Sequence, residues 1–65
     1  MLATTGVEMP RLMDCREVAR VLNISRRGVH RLAVTGDLPH LYIGKLLRFD
    51  PSDVSVWVRS QRWPR

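Results

Sequence analysis

Between Ala19 and Leu32 the chain reads ARVLNISRRGVHRL, and this single register leaves few folds open. Small Ala19 stands where two helices can approach closely, Asn23 tolerates the positive φ of a sharp reversal, and Ser25 supplies an oxygen to cap a second helix. Ile24 is expected to plug the core from the turn, with Val29 and Leu32 anchoring the inner face of the second helix. These positions predict a helix, a three-residue turn and an arginine-bearing helix, which is the grammar of a helix-turn-helix. That motif points to duplex DNA as the ligand.

The flanking sequence extends the pattern. Asp14 followed by Glu17 predicts a capping box, and Val18, Ala19, Val21 and Leu22 supply an apolar stripe behind it. Leu12 is expected to be the first core residue. In the second helix Val29, Leu32 and Ala33 share one side, while Arg27, His30, Arg31 and Val34 follow the i, i+3, i+4, i+7 spacing on the other. Gly36 should close that helix as a left-handed cap, and Leu38-Pro39 leads into extended chain. His40 to Ile43 and Leu46 to Phe49 flank Gly44-Lys45, a Gly-first pair suited to a type II′ hairpin. Period two then places Leu41, Ile43, Leu47 and Phe49 inward, and Tyr42, Leu46 and Arg48 outward. Asp50-Pro51-Ser52-Asp53 opens a third helix with an N-cap acid, a proline in the first turn and a second acid. Val54, Trp57 and Val58 return it to the core. The predicted fold is mainly α with a small β-hairpin, a winged helix-turn-helix over 12–60. A flexible lead-in over 1–11 precedes it, and a tail over 61–65 follows, where Pro64 forbids further helix.

Charge narrows the choice of ligand. The chain of 65 residues carries a net +5, and Asp14, Glu17, Asp50 and Asp53 all fall in predicted first turns, where carboxylates serve caps and the macrodipole. Between Arg26 and Arg48, five cations (Arg26, Arg27, Arg31, Lys45, Arg48) face one acid, Asp37. Guanidinium groups fork onto phosphate or guanine edges, so this face favours a polyanion. Only a slim element such as a helix fits the major groove, where base pairs differ in donors and acceptors. Arg27 and Arg31 are therefore the candidates for base-edge or close phosphate contacts, Arg26 for phosphate, and His30 for a base or a phosphate. Ser25 offers its hydroxyl and the amides of the helix start. Gly28, costly inside a helix, either lets the backbone approach phosphate or relieves helix–helix crowding. On the hairpin, Gly44 shapes the turn, and Lys45 and Arg48 are placed to reach the adjoining minor groove. Leu46 either lies on the surface or wedges against sugars and bends the duplex. Val56, Arg59 and Trp63 form a candidate protein-facing surface on the third helix and its tail.

Other chemistries find little support. No Ser/His/Asp set, paired carboxylates or phosphate-cradling glycine loop occurs, and a domain this small has little room for an enclosed pocket, so no enzyme and no cofactor is expected. His30, His40 and Cys15 match no zinc-module spacing, so no metal is expected. Cys15 is the only cysteine, which rules out an internal disulfide and suits a reducing compartment. Tyr42 and Trp57 read as packing residues and do not recur along a sheet, which sets RNA aside. No stretch approaches a membrane span, and the start MLATTGVEMPR lacks the marks of a signal peptide, so a cytoplasmic protein without a membrane partner is expected.

From Leu12 to Val58, the order of helix, turn, basic helix, Leu38-Pro39, Ile43-Gly44-Lys45, Arg48-Phe49, Asp50, Asp53 and Trp57 resembles the MerR-like winged-helix domain of phage excisionases, or recombination directionality factors. The resemblance implies a small accessory protein without recombination chemistry of its own. Such a protein binds neighbouring attachment-site repeats, often beside other copies of itself, bends the DNA, and helps a tyrosine or serine integrase excise in the host bacterial cell. It assigns Ser25, Arg26, Arg27, His30 and Arg31 to the recognition helix, and Gly44, Lys45 and Arg48 to the wing. The chain departs from the pattern at Gly28, where a polar residue is commoner, and at Leu46-Leu47, where the wing is usually more basic. Full MerR-type regulators also need a dimerisation helix and an effector domain, for which this length leaves no room. A small phage transcription regulator of the same fold is the nearest alternative, followed by a basic module acting directly on integrase.

Overall fold

In the computed structural model, which describes residues 11–63, the Asp14 carboxylate accepts from the Glu17 amide at 2.8 Å while Glu17 Oε1 accepts from the Asp14 amide at 3.1 Å. This reciprocal pair satisfies two amides that a helix start leaves without partners and opens α1, Cys15–Leu22. The helix stops at Asn23, whose φ of 58° lies in the left-handed region, and the Ile24 amide turns back to the Ala19 carbonyl at 3.0 Å. Three residues later α2, Arg26–Val34, begins under a Ser25 cap, with Ser25 Oγ accepting from the Gly28 amide at 3.0 Å. Residues 1–10 of the lead-in expected over 1–11, and Pro64 and Arg65 of the expected tail, lie outside the described residues.

α2 ends in a complete Schellman motif. Gly36, at φ 84°, donates to the Ala33 carbonyl at 3.1 Å, and the Asp37 amide donates to the Leu32 carbonyl at 3.0 Å. The Leu38 amide also reaches Leu32, at 3.1 Å, which swings the Leu38 side chain fully into the core. In the sequence Leu38-Pro39 signals only the turn into extended chain, and nothing local marks Leu38 for burial.

The wing is an antiparallel pair, β1 (Leu41–Ile43) and β2 (Leu46–Arg48). Gly44 takes φ 64° and Lys45 does not share that left-handed conformation, as a type II′ turn requires. At its base the wing is fastened by a bridge between Met13 and Phe49, and Phe49 is fully buried. α3, Pro51–Ser60, follows at once, with Asp50 Oδ1 accepting from the Ser52 amide at 2.9 Å and Pro51 in its first turn. The core joins Val18 and Ala19 of α1, Val29 and Ala33 of α2, Leu38, Phe49, and Val54 of α3; Met13, Leu22, Leu32, Leu47, Trp57 and Val58 pack around it half-buried. The architecture is the expected one: three helices and a two-stranded hairpin in a small winged helix-turn-helix.

Five expected core positions are corrected. Val21 is 61% exposed, because it lies roughly 100° around the helix axis from the mid-line of Cys15, Val18, Ala19 and Leu22. Ile24 is exposed as well; its side chain leaves the turn outward and covers Gly28, while Leu38 fills the interior. Met13, one residue after Leu12, makes the first core contact. Ile43 is 51% exposed, and the pairing explains why. With Ile43 opposite Leu46, Tyr42 opposite Leu47 and Leu41 opposite Arg48, paired residues share a face, so Ile43 cannot point the same way as Leu47. Leu41, also expected inward, lies on the Ile43 face and is only half-buried. Tyr42, expected outward, shares the face of Leu47 yet stays 58% exposed, its ring edge-on to His40 at 5.7 Å.

Candidate nucleic-acid interface

Capping by Ser25 and closure by Gly36 fix both ends of α2, and burial of Val29 and Ala33 fixes its rotation. The opposite side then faces solvent: Arg27, His30, Arg31 and Val34 are all exposed, as are Ser25 and Arg26. Asp37, the lone acid in this stretch, accepts from Thr35 Oγ1 at 2.9 Å and so is engaged beyond the end of the helix. Among the described residues no side-chain hydrogen bond holds Arg26, Arg27 or Arg31.

Beside this stripe runs an open groove of about 340 Å³, walled by the start of α1, by α2 and by the wing. Arg26 and His30 line it from α2, Lys45, Leu46 and Arg48 from the wing, and Arg16 from α1. Five of the sequence-picked residues are thus brought together, whereas Arg27 and Arg31 stay outside the groove on the outward stripe. Arg16 carries no sequence signal that would place it there. Its place depends on the wing being drawn against α1 by the Met13–Phe49 bridge, and no local pattern carries that information. Arg48 is steadied in the groove by donating from Nη1 to the Leu47 carbonyl at 2.7 Å.

One acid, Asp14, also lies in the wall. The Glu17 amide holds its carboxyl below the ordinary range, the Arg16 and Arg48 charges add to this, and partial burial opposes it. The groove therefore keeps a cationic excess, with Asp14 committed to its cap. Cys15 is half-buried in the same wall, its thiol 3.9 Å from the Arg26 carbonyl. Burial pushes the thiol upward, the Asp14 charge reinforces this and Arg26 opposes it, which leaves a poor nucleophile.

The structure separates the two readings of Gly28. A Cβ there would meet Ser25 Oγ at 3.3 Å and Ile24 Cδ1 at 3.4 Å, so the crowding comes from the turn and not from α1. The Gly28 amide is already committed to Ser25 Oγ, which leaves the Arg26 and Arg27 amides as free donors at the helix start. Gly44 stands at the open wing tip, where an added Cβ would meet nothing within 4 Å beyond its chain neighbours. Val56, Arg59 and Trp63 are exposed, Trp63 at 87%, and none of them lines the basic groove.

A capped helix presenting arginines, set beside a cationic groove that a hairpin completes, makes this surface that of a small DNA-binding domain. The chain belongs to the helix-turn-helix domain family, whose sequence profile matches residues 12–62. No curated protein and no solved structure shows significant similarity to it. Among the described residues no helix is long and apolar enough to cross a membrane.

Proposed function

We propose that this protein is a sequence-specific DNA-binding and DNA-bending accessory factor of the excisionase kind, which directs a phage integrase toward excision and has no catalytic step of its own. The helix-turn-helix family includes excisionase-like proteins, and the chain has the order of elements that resembles theirs. The observation that carries the reading is the groove in which Arg16, Arg26, His30, Lys45 and Arg48 converge from three elements. α2 enters the major groove with Arg27 and Arg31 foremost, and the wing lies over the adjoining minor groove. The phosphate backbone between them fills the cationic groove. Several copies occupy adjacent attachment-site repeats in the bacterial cytoplasm, and a tyrosine or serine integrase is the protein partner. Val56, Arg59 and Trp63 supply the surface for these protein contacts.

The test compares gel shifts on attachment-site DNA, on promoter DNA and on integrase alone, together with an excision assay. Preferential binding and bending of attachment-site DNA, with excision stimulated, is the expected result. Preference for promoters without any effect on excision would favour a transcription regulator, and binding to integrase without duplex affinity would favour a protein-interaction module.

A further inference from the structure

Ile43 and Leu46 stand directly opposite each other, one on each side of the Gly44-Lys45 turn. Both are more than half exposed, 51% and 54%. Opposed residues share a face with Cβ atoms about 4.5–5.5 Å apart, so the two side chains form one aliphatic ridge across the wing tip. Two pairs further down, on the same face, Leu41 and Arg48 are half-buried. The ridge is bare only at its outer end.

Strand propensity does not require these residues, because threonine supplies it without apolar surface. A ridge of two large aliphatics at an exposed hairpin end leaves about half of its surface uncovered by this fold and invites association. Cations frame it: Lys45 occupies the turn, and Leu46 itself lines the groove that holds Arg26 and Arg48. A ligand seated there is polyanionic along the groove and meets the ridge with something apolar. Duplex DNA has both parts, phosphates outside and sugars and base faces within.

We propose that the Ile43–Leu46 ridge inserts into the minor groove and opens a base step, so that the bend is made at the wing tip. This rests on the DNA-bending reading above and assigns it a place and a mechanism. Aliphatic wedges between base pairs unstack them and kink the duplex by about 20–90°, while Lys45 neutralises phosphate beside the opening. Pyrimidine–purine steps unstack most readily, so the ridge adds a preference for such a step under the wing, distinct from the sequence read by α2.

The experiment uses the full chain and a duplex that it selects from a random pool, with 2-aminopurine placed in turn at each step. Fluorescence rising several-fold at a single pyrimidine–purine step, with permanganate reactivity of the adjacent thymine, is expected. The Ile43→Thr/Leu46→Thr double variant, and Leu46→Thr alone, keep strand propensity. They should lose that signal and at least half of the bend measured by circular permutation, while still selecting the same sequence under α2. Bending without any unstacked step, or an equal bend in the variants, overturns the wedge and leaves the accessory-factor reading standing. Variants that bend normally but load fewer copies on multi-site DNA would make the ridge a protein contact, which also overturns it. If the unaltered chain binds no duplex, the underlying reading fails and the wedge fails with it.

Discussion

Met13 and Phe49 exchange two main-chain hydrogen bonds, each 2.8 Å long, and so fasten the chain ahead of α1 to the end of the wing. The bridge positions Arg16 beside Lys45 and Arg48, so the groove depends on it as much as on the charged residues themselves.

Phe49 is fully buried at this junction. Phe49→Ala should cost about 3–5 kcal/mol, against a total of roughly 3–10 kcal/mol for a domain of this size. Thermal melting followed by circular dichroism should show it largely unfolded or melting tens of degrees lower. Phe49→Leu should keep a cooperative melt, and a Phe49→Ala variant as stable as the parent would mean that the buried ring is dispensable.

Two caps confer a dependence on acid. Asp14 is held below the ordinary carboxylate range first by the Glu17 amide, and Asp50 first by the Ser52 hydroxyl and then by its amide. A carboxyl depressed in the folded state contributes stability above its unfolded-state pKa and loses it as pH falls through the folded value. The melting temperature should therefore hold above about pH 5 and drop below about pH 4. Asp14→Asn/Asp50→Asn retains capping oxygens and should shallow that drop at little cost near neutrality. An equally steep decline in the double variant would place the acid-sensitive groups elsewhere.

Arg27 and Arg31 project from α2 without side-chain hydrogen bonds among the described residues. Replacing either with alanine should weaken binding to a selected site by about 1–3 kcal/mol and relax the preference at one base pair. Competition binding against single-base variants of that site measures both effects. Unchanged binding in both variants would remove α2 as the reader.

Arg16, Lys45 and Arg48 should behave differently. Alanine at any one of them should weaken specific and non-specific duplexes alike and reduce the magnitude of the salt slope by about 1. For the parent chain, about five neutralised phosphates give a slope near −4 to −5 in log affinity against log salt. A variant that loses discrimination while keeping general affinity would assign its side chain to base reading.

The parts of this fold legible in the sequence are those whose chemistry is local. Asp14 with Glu17, Ser25 and Asp50 mark helix starts because each side chain accepts from an amide two or three residues away. Asn23, Gly36 and Gly44 mark reversals because the backbone there is left-handed. Val21, Ile24 and Ile43 were misplaced because hydrophobicity alone does not say which flank of an eight-residue helix is covered, or which strand face a two-residue turn turns inward. Leu38 went unseen since its burial follows from the Leu32 carbonyl accepting past Gly36. Arg16 entered the groove only through the pairing of Met13 with Phe49, a contact between distant parts of the chain.

The Schellman closure at Gly36 has a reach beyond the end of its own helix. By pinning Asp37 and Leu38 to the Leu32 carbonyl, it makes the passage from α2 to the wing a stiff elbow of set length. In the binding mode proposed above the protein would work as a ruler: the offset between the two stretches of duplex it touches would be built into the peptide, and side chains outside that elbow could change without altering the stride.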